Sequence, residues 1–434
     1  MTLPSSQLKL GLKLGCIADD FTGATDLANN LVRSGMRVVQ TIGVPTTPLA
    51  ADVDAVVVAL KSRTVPKAEA IAQSLAALKW LQAQGAEGRS PQIYFKYCST
   101  FDSTPDGNIG PVTEALMEAL DTDFTIATPA FPDNGRTVFK GYLFAGHVLL
   151  NESGMQNHPL TPMQDANLVR VMQAQTQRQV GLIDYKTVAQ GESVIRERIS
   201  ALRSEGVGVA IVDATSNADL LLLGPALKDM PLVTAGSGVA IGLPANFGLK
   251  PSLQASQLPA ASGLKAVVSG SCSVATNAQV AHFKAAGRPA LAIDPVSLMN
   301  GQSDAVVRLV LAWAAPLLKD GPVLVYSTAE PEAVKQVQAQ LGVAEAGALV
   351  EHALAAVARG LVDLGVQQLV VAGGETSGAC VQALDIAQLQ IGPQIDPGVP
   401  WCHSTCAAGG LHIALKSGNF GTEDFFTKAF GALK

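Results

Sequence analysis

Short apolar runs alternate with amphipathic segments along most of the 434-residue chain. In the first half, the apolar runs predict strands over residues 12–18, 38–42, 55–60, 93–96, 124–127, 209–213 and 232–235. The segments between them have helical spacing over residues 25–34, 67–84, 111–120 and 220–227. Strands that alternate with helices are typical of parallel sheets covered by helices, so the first half is predicted to be an α/β domain.

The alternation is interrupted at residues 243–263, which are rich in Pro, Ser, Ala and Gln, and this composition predicts a linker. It then resumes with predicted strands over residues 266–269, 290–293, 323–326 and 368–372 and predicted helices over residues 274–286, 305–318 and 347–364. We therefore expect two α/β domains, residues 1–242 and 264–434, each with a mainly parallel sheet flanked by helices.

Composition narrows the class of protein. Hydrophobic residues make up 48% of the chain and charged residues 15%, which excludes an intrinsically disordered protein. A net charge of −6 and an aromatic content of 5% give no broad basic or stacking surface, so nucleic acid is not an expected partner. No apolar run reaches the roughly 18 residues of a membrane span, and we expect a cytoplasmic protein without a membrane partner.

The six cysteines are scattered along the chain, as is usual for reduced thiols in a cytoplasmic protein. Cys402 and Cys406 flank His403, but a zinc site needs a second pair of ligands and none is evident in the sequence. No metal site made of protein side chains is expected, and these three residues are left without a role.

Carboxylates follow the first predicted strand of the first domain. In open α/β sheets, ligands bind beyond the carboxyl ends of the strands. Asp19 and Asp20 stand there, immediately before a predicted helix. Two adjacent carboxylates suit the binding of polyol hydroxyls, the binding of a metal, or the abstraction of a proton. The alternative is that one of them only caps the helix, although a cap would not require both.

Cationic and hydroxyl side chains follow two other predicted strands of this domain. Lys96 and Ser99 belong to a polar segment that also contains Asp102, although a surface lysine beside an ordinary turn remains an alternative. Arg136 follows a third strand and could hold a carboxylate through two parallel hydrogen bonds, although a lone arginine is more often part of a surface ion pair. These side chains predict a site for a small anionic polyol.

Glycine- and serine-rich turns characterise the second domain, at residues 269–273, 373–378 and 416–421. The first two follow strands and open helices, where backbone N–H groups can approach phosphate oxygens. The spacing excludes a Walker A motif, a dinucleotide fingerprint and a hydrolase nucleophile elbow. Together the two domains favour a two-domain kinase that closes over a cleft.

Long motifs along the chain add a family resemblance. They are IADDFTGATDLA (17–28), FKYCSTFDST (95–104), NGRTVFKGYLF (134–144), LLNESGMQNHPLTPM (149–163), VVSGSCS (267–273), GGETSG (373–378), IGPQIDPGVPW (391–401) and ALKSGNFG (414–421). On these motifs the chain resembles the four-carbon acid sugar kinase family. The resemblance implies an N-terminal acid-sugar-binding domain, a C-terminal nucleotide-binding domain and an active site in the interdomain cleft.

The same resemblance implies the reaction. The activity of the family is ATP-dependent phosphorylation of four-carbon sugar acids, with Mg²⁺ bridging the β- and γ-phosphates. KSRT (61–64), NIGPVTEAL (108–116) and HPLTPM (158–163) are similar to the branch that phosphorylates the C4 hydroxyl of 3-oxo-tetronate. D-threonate and D-erythronate remain open as substrates, and a homodimer is compatible with the sequence.

The same motifs imply the site residues, and the roles within this set are assigned from the chemistry of the side chains. The resemblance places the acid sugar near Asp19, Asp20, Lys96, Ser99 and Arg136. Asp20 or Asp19 would accept the proton of the attacking hydroxyl, and the two cations would hold the substrate carboxylate. The residues implied to line ATP are Ser271, Ser273, Gly373, Gly374, Glu375, Thr376, Lys416 and Gly418.

Within the nucleotide site, Lys416 would neutralise charge on the transferring phosphoryl group, and Mg²⁺ would be held mainly by phosphate and water. The role of Glu375 is left open. Two other classes of function also remain: a non-catalytic sugar-acid sensor that binds nucleotide, and an aldolase that would use Lys96 as a Schiff-base lysine. An oxidoreductase is not supported, because no dinucleotide fingerprint is present.

Overall fold

The computed structural model describes residues 11–46, 53–85, 90–158, 160–298, 302–328, 343–406 and 409–433. The chain divides into two compact units, Met1–Ala255 and Ser256–Lys434. The boundary between these units falls inside the segment predicted to be a linker, where the chain forms short 3₁₀ helices at Pro244–Phe247 and Leu253–Ser256.

The first unit contains eleven strands among its described residues. They are β1 (Leu14–Ala18), β2 (Val38–Ile42), β3 (Ala55–Ala59), β4 (Gln92–Lys96), β5 (Thr125–Thr128), β6 (Arg136–Phe139), β7 (Tyr142–Ala145), β8 (Val148–Leu149), β9 (Gln179–Ile183), β10 (Val207–Val212) and β11 (Leu232–Ala235). The helices are α1 (Phe21–Arg33), α2 (Lys67–Gln82), α3 (Ile109–Ala119), α4 (Leu168–Gln173), α5 (Tyr185–Val188), α6 (Glu192–Ser204) and α7 (Asn217–Ala226).

The main sheet of this unit has the order β2-β3-β1-β4-β11-β5-β10-β9, and all of its pairings are parallel. Strands β1 and β3 are buried along their whole length. Continuous apolar strands are expected where helices cover both faces of a parallel sheet. A separate antiparallel sheet, β6-β7-β8, carries Arg136 at its first residue.

The second unit contains the strands β12 (Leu264–Ser269), β13 (Ala290–Ala292), β14 (Val323–Tyr326), β15 (Val366–Ala372), β16 (Gln388–Asp396), β17 (Val399–Cys406) and β18 (Gly409–Lys416). Its helices are α8 (Val274–Ala285), α9 (Ser303–Leu317), α10 (Val343–Asp363), α11 (Gly374–Ala383) and α12 (Phe425–Lys428). The strand order is β13-β14-β12-β15-β18-β17-β16, parallel as far as β18 and antiparallel beyond it. Trp401, Phe283, Phe425 and Phe426 are buried in its core.

The predicted fold class is confirmed: both units are α/β, with sheets that are parallel over most of their width. The strand–helix pattern did not predict the antiparallel strands β16, β17 and β18. Strand β16 contains Gly392 and Pro393, which are usually depleted in strands. The strand–helix pattern in the sequence did not predict β9, α6 or the β6-β7-β8 sheet either. Among the described residues, no helix combines the length and apolarity needed to span a membrane.

Candidate active site

The residues that directly follow three neighbouring strands of the first unit lie close together. Strand β1 lies between β3 and β4, so the chain segments that leave their carboxyl ends are adjacent. The Asp19 backbone N–H donates to the carbonyl of Lys96 over 3.1 Å, and the N–H of Ser62 donates to the carbonyl of Asp19 over 3.0 Å. These hydrogen bonds connect three segments that are far apart in sequence, and they form the floor of the candidate acid-sugar site.

The Arg63 guanidinium is bound between carboxylates in this site. Its Nε and Nη2 donate to the two oxygens of Asp19 over 2.9 and 2.8 Å, and Nη2 also donates to Asp20 Oδ1 over 2.8 Å. Its Nη1 lies 3.8 Å from Asp102 Oδ2. Burial by itself would lower the pKa of Arg63, but Asp19 and Asp20 raise it well above its ordinary value. Arg63 is therefore a permanent cation among three carboxylates.

The two adjacent aspartates have different environments. Asp20 caps α1: its Oδ1 accepts from the Gly23 N–H over 3.0 Å, and its Oδ2 accepts from Thr22 Oγ1 over 2.8 Å. The side chain of Asp20 is 24% exposed, whereas that of Asp19 is 7% exposed and both of its oxygens face Arg63. Asp20 is thus a helix cap, as the alternative interpretation predicted, but it is also the carboxylate that a ligand can reach.

The pKa values of the two aspartates shift in opposite directions. Burial raises the pKa of Asp19, and this exceeds the lowering by Arg63. Burial also disfavours the charged form of Asp20, but Arg63, Lys96 and the hydrogen bonds from Thr22 and Gly23 lower its pKa overall. Asp20 is therefore ionised at neutral pH.

Lys96 lies beside the first turn of α1. It is buried, and its Nζ donates to the carbonyl of Tyr97 over 2.8 Å. A Cβ atom on Gly23 would stand 2.8 Å from Lys96 Nζ and 2.2 Å from Asp20 Oδ1. A larger residue at position 23 would therefore displace the ammonium of Lys96 and the capping carboxylate of Asp20 from their positions at this helix.

A strained turn follows Lys96. The N–H of Phe101 donates to the carbonyl of Cys98 over 3.0 Å, and Phe101 has a φ of 51° although it is not glycine. Its ring packs edge-on against Tyr97 with centroids 5.2 Å apart, which stabilises this conformation. Strained backbone of this kind is often found at functional sites. The turn places Ser99, which is buried, next to the Asp102 segment.

Arg136 reaches the same region from the small antiparallel sheet. Its Nη1 donates to the carbonyl of Asn134, while its buried Nε makes no hydrogen bond with any residue in the described ranges. The positive charges of Lys96 and Arg136 both act on the carboxyl group of Asp26. The structure thus brings Asp19, Asp20 and Lys96 together, and the charge of Arg136 acts on Asp26 of the helix that follows Asp20.

Glycine- and serine-rich segments of the second unit also lie together at the carboxyl ends of neighbouring strands. They follow β12, β15 and β18, which are adjacent parallel strands. Ser273 Oγ donates to the carbonyl of Gly418 over 2.6 Å. A Cβ atom on Gly418 would lie 2.5 Å from Ser271 Oγ, and one on Gly373 would lie 3.2 Å from the backbone nitrogen of Ser271. The three segments can approach each other this closely because Gly373 and Gly418 carry no side chains.

These segments fit a phosphate ligand by the chemistry of their donors. Gly373, at φ 121°, precedes α11, and the first-turn residues Gly374 and Glu375 are exposed. Ser271 and Gly418 are half-buried, while Thr376 is buried in the same helix turn. Exposed backbone N–H groups at a helix start attract phosphate oxygens. The Glu375 carboxylate would repel phosphate at that position, and its role remains open.

Lys416 is fully buried beneath these segments. Its Nζ lies 3.0 Å from Thr276 Oγ1, the carbonyl of Ser417 and the carbonyl of Gly418, and 3.1 Å from the carbonyl of Phe420. Burial lowers the pKa of Lys416 to about 7, whereas three carbonyl acceptors favour the protonated form. Since its donors are directed at these oxygens, the geometry favours support of the loop over direct contact with a phosphoryl group.

Within the described ranges, no three His, Cys, Asp or Glu side chains are grouped closely enough to hold a metal ion. In the first unit, Arg63 supplies the positive charge between the carboxylates. The donors of the second unit are amides and hydroxyls, which fit an Mg²⁺ ion held by nucleotide phosphates and water. Cys402 is buried and Cys406 is half-buried on β17, while the rings of His403 and His412 lie 5.0 Å apart.

Two charged residues of the first site were not among the sequence-based candidates. Arg63 appeared only within the KSRT motif, and a charged residue after a strand is a common surface feature. Asp26 lies on α1 with Asn29 and Asn30, and all three are buried. Polar residues at this spacing on an otherwise apolar helix were the available signal for Asp26.

Comparisons with known proteins identify a domain in each half of the chain. Residues 14–243 match the family model described as a sugar-binding N-terminal domain, and residues 266–426 match the one described as a nucleotide-binding C-terminal domain. Proteins named 3-oxo-tetronate kinase from Pseudomonas fluorescens and Burkholderia multivorans are 60% and 59% identical, over 97% of this chain and 97% of each relative.

A solved structure from Salmonella typhimurium LT2, which carries the provisional description of a tRNA synthase, is 45% identical. It matches with a TM-score of 0.87 over 97% of this chain and 99% of that one. The similarity to these proteins extends over nearly the whole chain and over both units. The chain belongs to the four-carbon acid sugar kinase family.

Proposed function

We propose that this protein is an ATP-dependent phosphotransferase that phosphorylates the C4 hydroxyl of 3-oxo-tetronate. The observation that carries the proposal is a partly exposed, ionised carboxylate, Asp20, held beside Arg63 and Lys96 at the carboxyl ends of β1, β3 and β4. The shared name of the relatives at 58 to 60% identity supports 3-oxo-tetronate over D-threonate and D-erythronate.

The acid sugar is bound by its carboxylate in this proposal. Lys96 provides a buried point charge, and Arg136 provides a planar fork whose Nε has a free donor among the described residues. Ser99 lies on the turn after Lys96, where a hydroxyl can bond to the substrate. Charge-assisted hydrogen bonds to a carboxylate are shorter and stronger than neutral ones, so these two cations orient the substrate.

Asp20 accepts the proton of the C4 hydroxyl as that oxygen attacks the γ-phosphorus. The new O–P bond forms while the bond between the γ-phosphorus and the β,γ-bridging oxygen breaks, and ADP leaves with the electron pair. Asp19 does not share this role, because both of its oxygens are bound by Arg63. We assign Asp19 to the positioning of Arg63, which in turn keeps Asp20 ionised and in place.

The nucleotide is bound by the second unit. We assign the lining of the phosphates to Ser271, Ser273, Gly373, Gly374, Thr376 and Gly418. The exposed start of α11 at Gly374 would supply backbone N–H groups. Lys416 supports this loop from below through its bonds to the carbonyls of Ser417 and Gly418. Mg²⁺ bound to the phosphates would neutralise charge that develops during transfer. The location of the active site in a cleft between the domains and the formation of a homodimer remain predictions.

The test is a coupled ADP-release assay with Mg²⁺-ATP and a panel of acids. The panel contains 3-oxo-tetronate, D-threonate, L-threonate, D-erythronate and a five-carbon aldonate. We expect turnover confined to 3-oxo-tetronate. Turnover of D-threonate or D-erythronate would contradict the assigned substrate but keep the reaction. Bound ATP without ADP release from any acid would favour the sensor, and borohydride trapping of Lys96 with substrate would favour the aldolase.

A further inference from the structure

The acidic residue within α1, Asp26, lies outside the chemistry described so far. Asp26 follows Gly23 by three residues, so the two occupy the same face of the helix. Asp26 is 3% exposed, and it is therefore buried on the side of α1 where Gly23 approaches Lys96. A carboxyl group is rarely buried to this degree unless its oxygens are bound by partners.

Only one oxygen of Asp26 has a partner within the described residues. Its Oδ2 accepts a hydrogen bond from Ser237 Oγ, and the carbonyl of Ser237 in turn accepts from Asn30 Nδ2 over 2.9 Å. Its Oδ1 is buried and accepts no hydrogen bond from any described residue. A buried acceptor left without a partner is destabilising, so this oxygen has unused binding capacity.

Three charged groups act on Asp26. The charges of Lys96 and Arg136 favour its ionised form, and the charge of Asp20 disfavours it. Burial is the largest influence and raises the pKa of Asp26 to about 7. No ion pair joins Asp26 to Lys96 or Arg136 in the part of the chain that the structure describes. The two cations thus act on the carboxyl group of Asp26 without forming an ion pair with it.

Two groups in this charged set are complementary and unpaired. Asp26 Oδ1 is an acceptor without a donor, and Arg136 Nε is a buried donor without an acceptor, among the residues that the structure describes. A 2-hydroxycarboxylate carries the matching pair on adjacent carbons, since its hydroxyl donates and its carboxylate accepts. This pairing rests on the proposed function, which places the substrate carboxylate at Lys96 and Arg136 and the C4 hydroxyl at Asp20.

We propose that Asp26 Oδ1 accepts a hydrogen bond from the C2 hydroxyl of the acid sugar, so that Asp26 determines specificity for 2-hydroxy acids. The C2 hydroxyl is adjacent to the carboxylate carbon and cannot serve as the phosphoryl acceptor in this reaction. A site built to hydrogen-bond a substrate hydroxyl rejects the analogue that lacks it, because the buried acceptor is then left unpaired. Asp26 thereby selects the acid without taking part in phosphoryl transfer.

The test compares 3-oxo-tetronate with 4-hydroxy-3-oxobutanoate, which lacks only the C2 hydroxyl. For the wild-type protein, we expect kcat/KM to be higher for 3-oxo-tetronate by about 100-fold or more. Asp26→Ala should reduce this preference to less than about tenfold, with the KM for ATP unchanged. Asp26→Asn retains an acceptor oxygen and should keep part of the preference. This variant replaces Asp26→Ala in the test if the alanine variant does not fold.

The matched control is Asn30→Ala, which removes another buried polar group of the same helix and its hydrogen bond to Ser237. It should lower the melting temperature without changing the preference between the two acids. An unchanged preference in both Asp26 variants would overturn the proposal and leave Asp26 with a structural role, its Oδ1 bound only by water. Equal turnover of both acids by the wild type would overturn it as well. Failure of the wild type to phosphorylate either acid would instead contradict the proposed function itself.

Discussion

The two candidate sites are built by different physical means. In the first unit, opposite charges hold the site together: Arg63 contacts Asp19 and Asp20 directly and lies near Asp102. In the second unit, backbone segments meet through glycine and serine, and Lys416 contacts a hydroxyl and carbonyl oxygens instead of carboxylates. The first site is therefore suited to recognising charge and hydroxyl positions, and the second to recognising the shape and charge of phosphates.

This difference predicts which substitutions damage which substrate. Changes of charge in the first unit should affect turnover and the acid sugar while leaving nucleotide binding intact. Changes of shape in the second unit should affect the nucleotide while leaving the acid sugar bound. A charge variant of the first unit that weakens nucleotide binding would contradict this division of roles. So would a shape variant of the second unit that weakens binding of the acid sugar.

The largest effect is expected from Asp20→Asn. The amide cannot accept the proton of the attacking hydroxyl, so kcat should fall by about 10²- to 10⁴-fold, and the dissociation constant for ATP should stay within about threefold of the wild-type value. Steady-state kinetics and nucleotide titration measure the two quantities. The Thr22→Val control removes one hydrogen bond to the same carboxylate and should cost far less. Normal turnover by Asp20→Asn would remove Asp20 from the role of base.

Arg63→Met should have the next largest effect, on stability as well as on activity. Removal of the cation leaves Asp19 and Asp20 without their shared partner, and breaking such a buried network costs about 3–5 kcal/mol in the free energy of unfolding. Chemical denaturation of both proteins measures this loss. The matched control is Arg170→Met, which breaks an exposed pair with Asp165 and should cost at most about 1 kcal/mol. Equal losses in the two variants would contradict a structural role of charge in the first site.

Gly418→Ala tests the role of shape in the second site. Its Cβ would stand 2.5 Å from Ser271 Oγ, so the Ser271 side chain must rotate away or the two loops must separate. We expect the KM for ATP to rise by about tenfold, equivalent to about 1.4 kcal/mol, with the KM for the acid sugar unchanged. Gly431→Ala is the control, because a Cβ there meets no atom within 4 Å. An increase confined to the acid-sugar KM would show that the nucleotide site is misplaced.

A pH dependence of stability is also expected from Asp26. Its pKa is about 7 in the folded protein, against an ordinary value of 3.8, so the folded state binds more protons between these pH values. The contribution of Asp26 to stability is therefore full below about pH 4 and is lost as the pH rises through about 7. Asp26→Asn should remove this loss. The melting temperature of the variant should therefore rise relative to that of the wild type as the pH increases from 5 to 8. A constant difference across this range would contradict the assigned shift.

Much of this organisation could be predicted from local sequence. The apolar runs of β1, β3 and β4 and the glycine-rich segments after β12, β15 and β18 are local signals, and a parallel sheet brings the segments after its strands to one edge. Asp19, Asp20 and Lys96 were predicted in this way. The antiparallel strands β16, β17 and β18 carry no such signal, because their sequences mix polar residues, proline and glycine.

The two α/β units, the family and the segments that carry the chemistry are encoded locally, because hydrophobic periodicity and motif spacing are properties of neighbouring residues. The partners of the site residues are set by the tertiary structure. Arg63 is 44 positions from Asp19 in the chain, and Ser237 is 211 positions from Asp26. The fold also makes Asp20 reachable while Asp19 is not, and it directs Lys416 to the support of a loop. Burial and charge pairing depend on the groups that the fold places nearby, and this information is not local in the sequence.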